Sequence, residues 1–205
     1  MNNSFWKAGH TPTLFSAFLY FDLSFMVWYL LGPLAVQIAT DLDLSAQQRG
    51  IMVATPILLG LGLGFAGASF AVALPLASQW YPPEHQGKAM GIAGAGNSGT
   101  VLAAIFAPGL AYLFGWQNVF GLALIPLGVT LILFIMLAKN SPQRPTPKSL
   151  GDYAKALQDV DSWWFMFFYS VTFGGFIGLA SALPGYFSDQ YALNPVTAGF
   201  YTAAC

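Results

Sequence analysis

Charge is what this sequence has least of. Of its 205 residues, eight are Asp or Glu and seven are Lys or Arg, 7% in all, where an average soluble domain carries about 25%. So few charges cannot keep a globular surface in water, which excludes a soluble enzyme and a disordered chain. The net charge of −1 leaves no basic patch for phosphates, which excludes a nucleic-acid partner. Cysteine is reduced to Cys205, so no intrachain disulfide forms. His10 and His85 have no Cys or carboxylate cluster beside them at ligand spacing, and no metal site is expected. No Ser-His-Asp arrangement or nucleotide-binding loop is legible, so neither catalysis nor a cofactor is expected.

What the chain has instead is apolar bulk: 56% hydrophobic residues and 16% aromatics. The few charges are clustered between long gaps. Between Lys7 and Asp41 the only charge is Asp22, and none lies in 50–83, 89–138 or 162–188. A helix needs about 20 apolar residues to cross the hydrocarbon core, and backbone in lipid must satisfy its own hydrogen bonds. The strand alternation of a membrane barrel is missing. The sequence therefore predicts an all-α membrane protein, lodged in a lipid bilayer. Five complete spans are expected, at about Thr13–Ala39, Gly50–Trp80, Ala89–Phe114, Val119–Ala138 and Trp163–Leu183. A sixth begins near Pro195 and runs to Cys205. The first run is too long for a cleavable signal peptide and carries Asp22.

Basic residues set the direction. The segment Lys139–Ser162 holds Lys139, Arg144, Lys148 and Lys155 and is assigned to the cytoplasm. Counting crossings backwards puts Lys88 and the N-terminus with Lys7 inside and Arg49 outside, with Asp41, Asp43 and Asp189 in outer loops. Local signals agree with the spans. Ser45-Ala46-Gln47-Gln48 fits a capping box, Tyr81-Pro82-Pro83 stops a helix, and Gly115-Trp116-Gln117-Asn118 is the turn between two crossings. Pro142, Pro145 and Pro147 make the start of the central loop extended. Leu150, Tyr153, Ala154 and Leu157 then fall at helical spacing, as a short interfacial helix or a solvated linker.

Inside the spans, small residues mark contact faces: Gly87, Gly91, Gly94 and Ser98 in one row, Gly60, Gly64 and Gly67 in another. Packing explains these rows. Close approach of a ligand to the backbone gives Gly94 and Gly96, beside Asn97, a second reading. Asn97 offers two donors and an acceptor in a medium without water, for gluing helices or for binding. Asp22 is costly in hydrocarbon. With no basic partner in any span it reads as a neutral or hydrogen-bonded packing residue, although a proton-coupling role is conceivable. The aromatics of 15–29 and 163–176 are expected against lipid, other helices or the interfacial belt.

Specific strings carry a resemblance. Gly64-Phe-Ala-Gly-Ala-Ser-Phe70, Trp80-Tyr-Pro-Pro-Glu84 and Gly91-Ile-Ala-Gly-Ala-Gly-Asn-Ser-Gly99 resemble the nitrate/nitrite porter family of the major facilitator superfamily. The last of these is similar to that family's fifth-helix signature. Phe21-Asp-Leu-Ser-Phe-Met-Val-Trp28 resembles its first helix, and Phe168-Tyr-Ser-Val-Thr-Phe-Gly-Gly-Phe-Ile-Gly178 its seventh. The resemblance implies a partial major facilitator bundle. Residues 1–138 would form an N-terminal membrane half lacking two helices, 139–162 the central cytoplasmic loop, and 163–205 the start of a truncated C-terminal half.

Ala54-Thr-Pro-Ile-Leu-Leu-Gly60 resembles the start of the family's second helix, and 61–70 its fourth. The material between has no counterpart, so the run Gly50–Trp80 would be a splice of two helices. At 31 residues it would be about 46 Å long, beyond the ~30 Å core, which predicts tilt or a kink near Gly60–Gly64. The family's two arginines, on helices two and eight, have no matching positions. What carries over is a neutral lining for a small inorganic anion, nitrate or nitrite. Asn97 and Tyr169 would donate hydrogen bonds, Phe70 and Phe173 would form walls, and Gly94 and Gly96 would allow close approach. The implied activity is nitrate/nitrite transport in the plasma (inner) membrane, by exchange or proton symport. The alternatives are a non-transporting remnant and a half-transporter that assembles with another membrane chain.

Overall fold

The computed structural model describes residues 4–59, 66–142 and 149–205. Among them the regular elements are all helical. In chain order they are α1 (Phe5–Ala8), α2 (Thr11–Tyr29), α3 (Leu31–Asp41), α4 (Ala46–Leu59), α5 (Ser69–Ser78), α6 (Pro83–Gly94), α7 (Gly99–Phe114), α8 (Trp116–Leu137), α9 (Leu150–Ala156), α10 (Val160–Tyr191) and α11 (Pro195–Ala204). A 3₁₀ turn, Ala95–Ser98, joins α6 to α7.

Four of the described stretches are long and apolar enough to cross a membrane: Thr11–Asp41, Pro83–Phe114, Trp116–Leu137 and Val160–Tyr191. They match four of the five expected spans, each a few residues longer than its apolar run. The third starts six residues before the expected Ala89, because Pro83 fits the first helical position, where its missing N–H costs nothing. Lys88 therefore lies inside a helix rather than before it. The second expected span, Gly50–Trp80, is represented by α4 and α5; its predicted bend near Gly60–Gly64 lies outside the described residues. α4 packs on α3, whereas α5 packs on α2 and α6.

The helix boundaries have local causes. Gln48 Oε1 accepts from the Ser45 N–H at 2.9 Å and Ser45 Oγ accepts from the Gln48 N–H at 3.3 Å, the reciprocal box expected at the start of α4. Ser149 and Asp152 form a second box that opens α9. Gly115, at φ +82°, makes the whole turn between α7 and α8, a conformation that a Cβ would strain. Pro75, Pro108, Pro126 and Pro184 sit inside helices, as membrane helices tolerate when neighbours satisfy the freed carbonyls. Separately, Gln37 of α3 donates to the Pro108 carbonyl of α7 at 2.9 Å.

α2 is the central element. Leu14, Ala17, Phe21 and Phe25 are fully buried, and α2 packs against α5, α6, α7, α8 and the 3₁₀ turn. The outward faces of α8 and α10 are apolar and exposed, with Leu124, Leu131, Ile135, Trp163, Phe165 and Leu179 among their residues. In water this would be costly; against lipid it is not, since acyl chains are as apolar as leucine. The protein is an integral membrane protein.

The two ends of the bundle differ. At one, Arg49 pairs with Asp189, and the Trp116 indole N–H donates to Asp41 at 2.9 Å. At the other, the Trp80 indole donates to the Lys139 carbonyl at 2.8 Å, Ser141 donates to the Gln79 carbonyl at 2.8 Å, and Thr13 Oγ1 accepts from the Lys139 N–H at 3.0 Å. Lys88 Nζ lies 4.5 Å from the centre of the Phe5 ring at this same end. The start of α4 and the end of α5 therefore lie at opposite ends of the bundle. The charge-based grouping of Arg49 with Asp41 and Asp189, and of Lys88 with Lys139, is reproduced.

Candidate functional site

Three elements meet around the α2 midsection: α5, the 3₁₀ turn and α10. The aromatic run of α2 places Phe21 and Phe25 one helical turn apart on one face, and their rings contact edge to face at 4.4 Å between centroids. Phe21 also meets Phe70 of α5 at 5.4 Å. Phe70 approaches Tyr169 of α10 at 6.3 Å, Tyr169 stacks on Phe173 at 5.1 Å, and Phe173 returns to Phe25 at 6.0 Å. Five rings thus form a closed circuit across α2, α5 and α10. The rings are hydrophobic walls, but their edges carry partial positive charge, which suits an anion better than their faces do.

Of the six residues expected at a site, the structure brings Phe70, Tyr169 and Phe173 into one cluster. Gly96 reaches it through Phe21: a Cβ on Gly96 would meet the Phe21 ring and the Asp22 backbone N. Its smallness serves the approach of the 3₁₀ turn to α2. Gly94 has open space where a Cβ would stand. Asn97 follows Gly96 in the turn, and its Oδ1 is buried with no hydrogen-bond partner; its backbone carbonyl accepts from Thr100 Oγ1 at 2.8 Å. An unpartnered amide oxygen calls for a hydrogen-bond donor; the amide N–H groups are the ones that could serve an anion.

Three residues had a different weight in the sequence. Phe21 and Phe25 belong to a dense aromatic run that hydropathy alone cannot divide between lipid and interior; their spacing of four was the available signal. Ser98 was placed in a small-residue packing row. It stands with its Oγ 2.6 Å from Asp22 Oδ1 and 2.8 Å from the Ala95 carbonyl oxygen. Beside it, a Cβ on Gly99 would overlap the Asp22 carbonyl oxygen, so α2 and the start of α7 touch backbone to backbone here. Asp22 has the hydrogen-bonded environment expected of it, and it is 4% exposed.

The cluster contains no cation. The ion pairs among the described residues, Arg49–Asp189 and Lys155–Asp152, lie away from it. Neutral donors and ring edges alone do not readily offset the cost of desolvating an anion. An anion held here would need a fixed positive charge from elsewhere.

A family model described as Major Facilitator Superfamily matches residues 56–205. Among curated proteins, the chain is 28% identical over 233 residues to "Probable nitrate/nitrite transporter NarK2" of Mycobacterium tuberculosis, covering 88% of this chain and 59% of the relative. It is 28% identical over 227 residues to "Nitrite extrusion protein" of Bacillus subtilis, covering 87% of this chain and 57% of the relative. With "Probable nitrate/nitrite antiporter NarK1" of Thermus thermophilus it shares 32% identity over 155 residues, covering 69% of this chain and 35% of the relative. The chain spans less than two thirds of the length of these relatives. The first match runs over more residues than the chain's 205, so within it the relative has residues with no counterpart here.

Proposed function

The chain belongs to the Major Facilitator Superfamily, and on that premise we propose that it takes part in moving nitrate and nitrite across the plasma (inner) membrane. Its N-terminus would be cytoplasmic. Transport in this architecture works by rocking two helical groups around a site near the midplane. Phe70 and Phe173 wall the anion, Tyr169 and Asn97 donate hydrogen bonds to its oxygens, and Gly94 and Gly96 keep the backbone of the turn close to it. The observation that carries this reading is the aromatic circuit of Phe70, Tyr169 and Phe173 against α2, in a chain similar to proteins named as nitrate and nitrite transporters; the Asn97 Nδ2, not its buried Oδ1, is the atom that would donate. A guanidinium fork matches a planar oxyanion, so the missing charge is expected from residues that complete the bundle.

A second reading is supported by the same absence of a cation and by the relative's unmatched residues: the chain inserts but transports only with another membrane chain, or not at all. Vesicles decide between them. With this chain alone, no saturable nitrate uptake is expected; co-insertion of the C-terminal half of a relative is expected to produce it. Uptake by the chain alone would show that the neutral lining suffices. No uptake in either case would overturn the transport reading. Asn97→Asp replaces a donor by a like charge and is expected to abolish anion binding in any competent assembly; unchanged nitrate affinity would remove Asn97 from the site.

A further inference from the structure

The three oxygens between α2 and the 3₁₀ turn can be counted for protons. Ser98 Oγ is 2.6 Å from Asp22 Oδ1 and 2.8 Å from the Ala95 carbonyl oxygen, both hydrogen-bond separations for an O–H donor. A serine hydroxyl has one proton and donates once. Two full bonds among three oxygens need two protons. The carbonyl has none and Ser98 has one; its single proton serves one acceptor or is shared between them, and a proton on Asp22 would make both bonds full. Ser98 then donates to Ala95, and the carboxylic acid O–H of Asp22 donates to Ser98 Oγ. The Gly99 backbone N–H also approaches this carboxyl, which suits the acid's C=O oxygen as an acceptor.

The described surroundings give an ionised Asp22 two neutral donors, Ser98 and the Gly99 N–H, but no cation to pair with. Its own helix carries Tyr20, whose ring contacts Phe134, and Tyr29, which donates to the Ala180 carbonyl. On α3, Asp41 accepts from Trp116. On α6, Glu84, His85 and Lys88 lie in the first two turns, with Lys88 drawn over the Phe5 and Trp6 rings. On α7, Tyr112 is exposed. The 3₁₀ turn, α5 and α8 have no titratable side chain. On α10, Tyr169 is held in the aromatic circuit. Among the described residues none of these is bonded to Asp22, and a carboxylate with no cation beside it is expensive in hydrocarbon.

We propose that Asp22 is a proton-binding site built between α2 and the break in the Pro83–Phe114 span. As a neutral acid it completes the chain Asp22–Ser98–Ala95. When its proton passes to water, the carboxylate becomes the better acceptor and takes the Ser98 hydroxyl from Ala95. The carbonyl at the head of the 3₁₀ turn loses that donor, and the turn that presents Asn97 changes its footing; a 3₁₀ interruption inside a long helix is a common place for such a hinge. The inference rests on the packing of these helices, independent of what the protein carries.

Infrared spectroscopy of the purified whole chain in lipid reads the proton directly. At neutral pH the C=O stretch of a protonated carboxylic acid is expected, lost on raising the pH and missing from Asp22→Asn. In Ser98→Ala the acid loses its acceptor, so the band is expected to persist and shift to higher frequency. Absence of the band at neutral pH would overturn the proposal. So would its persistence in Asp22→Asn, or an unshifted band in Ser98→Ala. Because the readout needs no anion, its failure is distinct from a failure to transport.

Discussion

Single glycines in this protein have opposite burdens, and the difference can be measured. A Cβ on Gly99 would overlap the Asp22 carbonyl oxygen and lie 2.8 Å from the Met26 N, whereas one on Gly91 meets nothing within 4 Å. Gly99→Ala is expected to destabilise the chain by about 3 kcal/mol, the upper range for overpacking. Gly91→Ala is expected to stay within about 1 kcal/mol of the parent, the scale of helix propensity. Thermal unfolding in detergent compares the two; equal effects would mean that α2 and α7 do not touch where described. The sequence put Gly91 and Gly94 in a packing row with Ser98. Spacing shows that small residues share a face, but not which helix, if any, comes to that face. Asn97 and Asp22 were legible as polar groups out of place in hydrocarbon. That Asp22 would meet Ser98, 76 residues away, depends on how two helices cross, which no local pattern records.

At the scale of elements, two of the joints held in left-handed or otherwise restricted backbone can be compared. Gly115, at φ +82° and ψ 145°, makes the entire α7–α8 turn, and Ala192 ends α10 at φ +53°. Gly115→Ala is expected to cost about 1–2 kcal/mol, since an L side chain is strained there. Ala192→Gly is expected to gain about 1 kcal/mol by relieving a left-handed cap. Melting temperatures should move in opposite directions; movement in the same direction would contradict these backbone assignments. Helices and their stops were the most legible part of the chain, because a charge-free run in lipid has no alternative to a helix and because Ser45, Gly115 and Pro83 act within one turn of themselves. The lengths were less legible. α10 continues to Tyr191, eight residues beyond the expected Leu183, because polar residues such as Ser188 and Asp189 extend a helix past its apolar stretch without breaking it.

For the whole molecule, the Arg49–Asp189 pair ties α4 to the far end of α10. Arg49 is mostly covered, and a Cβ on Gly185 would stand 3.2 Å from its guanidinium, while Asp189 remains half exposed. A pair so placed is worth about 0.2–1 kcal/mol and is screened by salt. A double-mutant cycle with Arg49→Gln and Asp189→Asn should return a coupling of about 0.5 kcal/mol that shrinks in high salt. Strict additivity of the two single variants would mean that the ends of α4 and α10 are not joined. The opposite end relies on main-chain carbonyls of Lys139 and Gln79 as acceptors, which carry no net charge, so its contacts should respond little to ionic strength.

The single-residue joint at Gly115 has a consequence for how the protein is made. α7 and α8 together run from Gly99 to Leu137 with one residue between them, and that residue offers no hydrophilic stretch to wait in the aqueous channel of an insertion machine. The first of the pair cannot be released and anchored before the second has left the ribosome. The two must enter the bilayer as one hairpin, and slowing synthesis just after residue 115 would strand half of it.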